Sequence, residues 1–209
     1  MCEDWLSGVC TLEDASTVAV LVLGAGLGSR FNGGDKLGKH LGGMPVAHYI
    51  LSSLKPFNWG QRILVCRGAP QWTEAYAEEG FVLASRSDAE SGMLGSIHRG
   101  LMEIAGQTHV LICLADMPLI PKEHMNRLLE ARQSNPVTAI ASRSHSYRGV
   151  PAIFPIGSLS ALPRSGEGGA RDLLVNAKLV DAFDPSLFVD IDTAQDLELL
   201  QARCSSTGV

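Results

Sequence analysis

Arg30 and Lys36 close a stretch in which Gly24, Gly26 and Gly28 recur at alternate positions, and Asp116 stands just beyond a second apolar run. Alternate glycines let a loop take positive φ and bring backbone N–H groups up to an anion with no Cβ in the way. Arg30 offers a planar fork for phosphate oxygens and Lys36 a compact point charge, a pair better matched to a polyphosphate than to a lone carboxylate. Glycines by themselves are equally compatible with a turn-rich loop whose cations face solvent. The spacing excludes two common phosphate loops. Counted from Gly24, the dinucleotide pattern GxGxxG meets Ser29 at its third glycine, and the strand at 62–66 runs into Arg67 where a ribose-binding acid is needed. Counted from Gly28, the pattern GxxxxGK[ST] meets Gly34 where its lysine belongs.

A carboxylate at the position of Asp116 can hold a metal, and Mg²⁺ is usually bound by one or two carboxylates together with substrate phosphates. An aspartate in a strand-to-helix turn can also simply accept from nearby amides. Asp190 and Asp192 are expected at a strand end, on one face, with Ile191 on the other. Asp192 is either a second ligand or a polar residue flanking the next helix. Asp196, three residues after Thr193, reads as that helix's cap.

The elements that must position these groups are legible as apolar runs. Val18 to Leu23 is continuous and rich in valine, as in a parallel strand covered on both faces, and Val110 to Leu114 repeats the pattern before Asp116. RILVC at 62–66, FVLA and VTAIAS read as further strands. Val46, Tyr49, Ile50 and Leu54 mark a helix that starts after Pro45, and QWTEAYAEEG a helix closed by Gly80. Leu94, Ile97, Leu101 and Ile104 predict a helix from about Gly92, capped by Ser91. Gly92 and Gly95 leave room for a flat ligand at its amino end, with the Ser96 hydroxyl beside them. Met125, Leu128 and Leu129 face inward from a helix over 121–133. Strands and helices alternate, which predicts an α/β domain of three layers with a mostly parallel sheet.

At 209 residues the chain suits one domain. The expected division is an acidic, flexible leader at 1–16, a single domain at 17–203 and a tail at 204–209. Four of the five net negative charges fall on Glu3, Asp4, Glu13 and Asp14, so the rest is near neutral and duplex nucleic acid is not an expected partner. No apolar run approaches the roughly 20 residues of a membrane helix. The leader lacks a secretory pattern, and a cytoplasmic location is expected. Five cysteines without CxxC spacing give no metal or redox framework, and Cys66 and Cys113 read as buried thiols.

The pattern LGxGxGxRFxxxxK from Leu23 to Lys36 resembles the nucleotide-binding signature of the MobA-like nucleotidyltransferases, and more closely that of the molybdenum cofactor cytidylyltransferases. Gly24 stands where alanine is usual, and Asn32 where glycine is. The resemblance extends from about Val18 to about Leu200. ESGMLGS is similar to the family's base-side element, ADMP to its metal-binding motif, and SYRGVPAIFP and SGEGGARDLL to two acceptor-side elements, with Val150 replacing a histidine. It implies a nucleotide-diphosphosugar transferase (GT-A-like) fold. It also implies transfer of CMP from CTP to the terminal phosphate of a molybdopterin-type acceptor, with Mg²⁺ as cofactor. In that reading Arg30, Lys36 and Asp116 are catalytic, and Asp116 and Asp192 hold the metal. Leu23, Gly24, Ala25, Gly26, Gly28, Gly92 and Ser96 join Arg30 and Lys36 around the nucleotide, and Arg148 and Arg171 bind the acceptor. A transient contact with a molybdoenzyme or its chaperone is the expected macromolecular partnership. A sugar phosphate acceptor, or a non-catalytic nucleotide-binding cofactor chaperone, are the alternatives.

Overall fold

The valine-rich run forms strand β1 (Val18–Leu23), and five of its six residues have no exposed surface. A strand that is apolar on both pleats is stable only where both faces of the sheet are covered. In the computed structural model, which describes residues 12–26, 31, 34–87, 92–145, 147–166 and 168–206, β1 lies inside a seven-stranded sheet.

Its neighbours are β4 (Gln61–Cys66) and β6 (His109–Leu114), both parallel to it, and β5 (Val82–Ser85) is parallel to β4. Beyond β6 come β8 (Arg148–Pro155), β7 (Ile140–Arg143) and β9 (Lys178–Asp181). Strand β8 runs against the others, antiparallel to both β6 and β7. A two-stranded ribbon, β2 (His40–Leu41) with β3 (Met44–Pro45), stands apart.

Alternation along β1 divides the core between the two faces. Val18, Val20 and Val22 meet the side chains of α1 (Val46–Leu54), α2 (Glu74–Glu78), α4 (Lys122–Gln133) and α6 (Ala194–Ser206). Ala19, Leu21 and Leu23 meet those of α3 (Gly92–Leu101) and α5 (Ile156–Ser160). Three layers result, as the alternating pattern predicts. Cys66 and Cys113 are buried free thiols, and no described helix is long and apolar enough to cross a membrane.

Several expectations shift. The acceptor-side segment SYRGVPAIFP becomes the antiparallel strand β8, because its isoleucine and phenylalanine are needed as sheet core. QWTEAYAEEG is a 3-10 turn (Gln71–Thr73) leading into a short α2. Asp190 and Asp192 come after a 3-10 turn (Pro185–Phe188), not a strand. Their alternation with Ile191 persists, since Ile191 is fully buried and its N–H donates to the Asp116 carbonyl at 3.0 Å. Residues 13–16, assigned to the leader, are tied to the domain: Ala15 is buried, and the N–H groups of Glu13 and Ala15 donate to the Asn126 and Asn58 side chains. Ser91 lies outside the described residues.

Because β5, β4, β1 and β6 run the same way, their carboxyl ends share one edge of the sheet, where Arg86, Arg67, Gly24 and Asp116 emerge. The close approach of α3 to β1 sets one wall of that edge. A Cβ on Gly100 would lie 2.3 Å from Cδ1 of the fully buried Leu21. Gly100→Ala should therefore destabilise the protein by about 1–2 kcal/mol, overpacking outweighing the gain in helix propensity. Urea denaturation measures this, and a stabilised variant would contradict the close packing.

Candidate active site

Asp116 is fixed by the backbone on both sides. The Ala115 N–H donates to the Leu23 carbonyl at 3.0 Å, extending the β1–β6 pairing, and the Asp116 carbonyl accepts from Ile191. Lys36 sits in a 3-10 turn (Lys36–Gly38) whose cap, Asp35, accepts from the Leu37 N–H at 3.2 Å. From there its ammonium donates to Asp116 Oδ2 at 2.7 Å and to Asp192 Oδ1 at 3.1 Å. The Lys36 and Asp116 side chains are 11% and 19% exposed and that of Asp192 is 43% exposed, so the pair with Asp116 is the less screened.

Burial alone would lower the pKa of Lys36, but the two carboxylates outweigh it and the net direction is up. Burial raises the Asp116 carboxyl, Lys36 opposes that rise, and Asp190 adds to it. The ammonium thus favours the charged form of a poorly solvated carboxylate. Lys36, expected on a triphosphate, is held here by both acids. Arg30 and Gly28 lie outside the described residues.

Among the described residues no group of three His, Cys, Asp or Glu is placed to hold a metal. The pair Asp116 and Asp192 nevertheless fits a divalent cation that takes its remaining ligands from phosphate and water. Asp116 Oδ1 is buried with no hydrogen-bond partner among the described residues. A buried carboxylate oxygen left unpaired is costly, and a cation would satisfy it.

On the glycine side, neither Gly24 nor Gly26 takes positive φ, so the conformational reason expected for alternate glycines does not hold at these two. Gly24 is small because Trp72 lies against it, and its N–H continues the sheet by donating to the Val65 carbonyl at 2.8 Å. Leu23 and Ala25 are buried core, so they present backbone to the crevice and not side chain. The Ala25 carbonyl accepts from Arg67 Nε at 3.2 Å and from Arg86 Nη1 at 3.5 Å. Arg86 Nη1 also donates to Ser96 Oγ at 3.0 Å. Ser96, expected to meet the base, is 4% exposed, and its hydroxyl donates to the Gly92 carbonyl while accepting from Arg86. Sequence reading missed both arginines as site residues. The signal was there: each is the first residue beyond the carboxyl end of a strand.

The acceptor-side elements enclose a cavity of about 280 Å³ lined in part by Arg148, Arg171, Tyr147, Met93, Phe188 and Asp190. Arg148 and Arg171 are exposed and make no ion pair among the described residues. The loop carrying Arg171 is docked on α3, whose Leu94 N–H donates to the Gly166 carbonyl at 3.0 Å. Tyr147 stacks on Phe188 with ring centroids 4.7 Å apart, and the fully buried His124 meets the other edge of Phe188. Ser142 Oγ donates to the Pro151 carbonyl at 2.6 Å, so His124 Nε2, 2.7 Å from that oxygen, is the donor to it. This neutral chain fixes β7, β8 and α4 behind the cavity. Burial, with the Arg127 guanidinium nearby, pulls the His124 pKa down to about 4.

The model of the MobA-like NTP transferase domain matches residues 20–181. A molybdenum cofactor guanylyltransferase of Shewanella sp. (strain MR-4) is 26% identical over 203 residues, 91% of this chain and 98% of its own. A nucleotidyl transferase from Methanothermobacter thermautotroptrophicus superposes with TM-score 0.76 at 20% identity, covering 92% of this chain and 99% of its own. Rv0371c of Mycobacterium tuberculosis H37Rv, in a complex with manganese, superposes with TM-score 0.68 at 20% identity, covering 89% and 98%.

The charge arrangement has two measurable outcomes. Lys36→Ala in metal-free buffer should cost about 1–3 kcal/mol by stranding Asp116. Asp116→Asn in the same background should recover much of that loss, and additive losses in a denaturation cycle would refute the coupling. For His124, the folded-state pKa lies below the unfolded value of about 6.5, so the unfolded chain binds more protons between about pH 6.5 and 4. Stability should fall by up to about 3 kcal/mol as pH drops through that window. His124→Gln should flatten the slope, which urea midpoints measured across pH will show.

Proposed function

The chain belongs to the MobA-like NTP transferase family and is a nucleotidyltransferase, and we propose that it transfers a nucleoside monophosphate from a nucleoside triphosphate to the terminal phosphate of a molybdopterin-type acceptor. The observation that carries this reading is the Asp116–Lys36–Asp192 cluster, which joins the loop after β1 to the segment whose Asp190 lines a cavity together with Arg148 and Arg171.

In this reading an acceptor phosphate oxygen attacks the α-phosphorus of the nucleotide. The bond to the bridging oxygen breaks, and pyrophosphate leaves with the electron pair. A phosphate monoester has its second pKa near about 6, so the nucleophile is largely dianionic at neutral pH and needs no general base. That agrees with a site of cations, aspartates and backbone amides. The work left to the protein is alignment and charge neutralisation. Arg148 and Arg171 take the anionic acceptor, while Arg67 and Arg86 brace the Ala25 backbone that the nucleotide meets. Asp116 and Asp192 would hold a divalent cation, for which Mg²⁺ is the proposal and the manganese complex of a fold neighbour is support for the divalent class. When bound it would supply positive charge to the triphosphate.

CTP is the proposed donor. The GMLGS segment, which resembles the cytidylyltransferase version of the base-side element more than the guanylyltransferase one, supports it, and the room left by Gly24 is filled by Trp72, so this departure from alanine does not widen the site for a purine. GTP is the second reading, supported by the name of the curated relative. A cytoplasmic site of action accompanies either donor.

Pyrophosphate release with each nucleotide, the pterin acceptor and Mg²⁺ tests the proposal. We expect release to require acceptor and divalent cation, to stop with chelator, and to be faster with CTP. Arg148→Ala and Arg171→Ala should each raise the acceptor KM about tenfold while leaving the nucleotide KM nearly unchanged. Turnover with a sugar phosphate in place of the pterin would overturn the acceptor, and faster turnover with GTP would overturn the donor.

A further inference from the structure

Trp72 belongs to none of the motifs named so far, yet it contacts both described ends of the glycine loop. It lies in the 3-10 turn between β4 and α2 and is 5% exposed. Its Cη2 is 3.0 Å from where a Cβ on Gly24 would stand, and the same point is 3.3 Å from Leu37 Cδ1 and 3.5 Å from Ala115 Cβ. A Cβ on Gly38 would meet Trp72 Cδ1 at 3.3 Å. The indole therefore fills the space between the start of the loop, the turn that carries Lys36 and the residue before Asp116.

A buried indole N–H needs an acceptor. Here it finds no scaffold carbonyl but Asp35 Oδ2, at 2.8 Å, while the other oxygen of Asp35 caps the Lys36 turn. The ring itself is held from behind. His48 Nε2 on α1 lies 2.9 Å from the Trp72 carbonyl, and Tyr76 on α2 meets the indole edge-on at 6.0 Å while its hydroxyl donates to the Ala47 carbonyl at 2.6 Å.

We propose that Trp72 is a positioning residue for nucleotide binding, setting Lys36 relative to Gly24 through its contact with Gly24 and its hydrogen bond to Asp35. This rests on the reading that the loop from Gly24 to Lys36 receives the triphosphate. The nucleotide then feels Trp72 through the separation of the two ends of the loop that receives it. Loosening the indole changes nucleotide affinity more than the chemical step or the acceptor's KM.

Calorimetric titration of MgCTP and MgGTP into the full chain, beside steady-state kinetics and thermal melts, provides the test. Trp72→Phe keeps a packed ring and loses the N–H, and it should weaken nucleotide binding about tenfold with kcat nearly unchanged. Asp35→Asn leaves one acceptor oxygen for the two N–H groups, indole and Leu37, that the carboxylate serves, and it should weaken binding severalfold. Asp35→Ala, which also removes the cap on the Leu37 N–H, should weaken binding at least as much as Trp72→Phe, and the two combined should be no worse than Asp35→Ala alone. Gly24→Ala should weaken binding through contact with Cη2, and Trp72→Phe, which lacks that atom, should partly restore it. A Trp72→Phe variant that melts early but binds nucleotide like the wild type would show a merely structural role and overturn the proposal. Multiplicative effects of Trp72→Phe and Asp35→Ala would overturn it as well. Wild-type protein that bound neither nucleotide would instead remove the reading beneath it.

Discussion

A carboxylate withdrawn from water must be given a cation, and the site depends on how this chain meets that requirement. Asp116 stands beyond the end of β6, where burial pushes its carboxyl up, and Lys36, eighty residues earlier, donates to it and opposes that rise. Asp192, on a segment joined to the Asp116 backbone through Ile191, accepts from the same ammonium. One lysine thereby ties the loop after β1, the end of β6 and the approach to α6 into a single unit. An ion pair of this kind contributes little net stability, since desolvation offsets attraction. Its consequence is geometric: three distant stretches can meet in only a few arrangements.

The sheet makes that meeting unavoidable. Parallel strands deliver their carboxyl ends to one edge, so the segments leaving β1, β4, β5 and β6 must share it. In this chain those segments bring a glycine loop, Arg67, Arg86 and Asp116 together. The two arginines converge on one backbone carbonyl, that of Ala25, which concentrates positive charge where the loop leaves the sheet. Beyond β6 the antiparallel β8 starts at the same edge and runs away from it, which leaves Arg148, its first residue, beside the cavity that Arg171 also lines.

Most of this architecture was legible as pattern. The apolar runs at Val18 and Val110 and the helical spacing after Pro45 and Gly92 each correspond to an observed element, because burial on two faces or on one stripe leaves a periodic trace. Asp116 was legible because its place after a strand is local information. The partner of Lys36 was not, since a cation near glycines looks the same whether it awaits a phosphate or serves a carboxylate 80 residues away. The surroundings of Ser96 are hidden for a related reason: the sequence shows a hydroxyl at a helix start but not the Arg86 side chain that donates to it. Strand β8 went unseen because its segment carries proline and glycine at positions where an isolated reading expects a loop.

Gly24 shows how a departure from a motif is to be read physically. A glycine in a phosphate loop is ordinarily credited to positive φ or to backbone approach by the ligand, and either account would make Gly24 a statement about the nucleotide. The backbone there has no such φ, and the space beside it belongs to an indole. Glycine at 24 and tryptophan at 72 are one packing unit written at two places in the chain, and neither residue is intelligible alone. Gly26 gives the contrast, since nothing among the described residues lies within 4 Å of where its Cβ would be, and their packing does not require it. Of the described loop glycines, then, Gly24 answers to the scaffold, and Gly26 is the one whose missing side chain leaves open space at the mouth of the crevice.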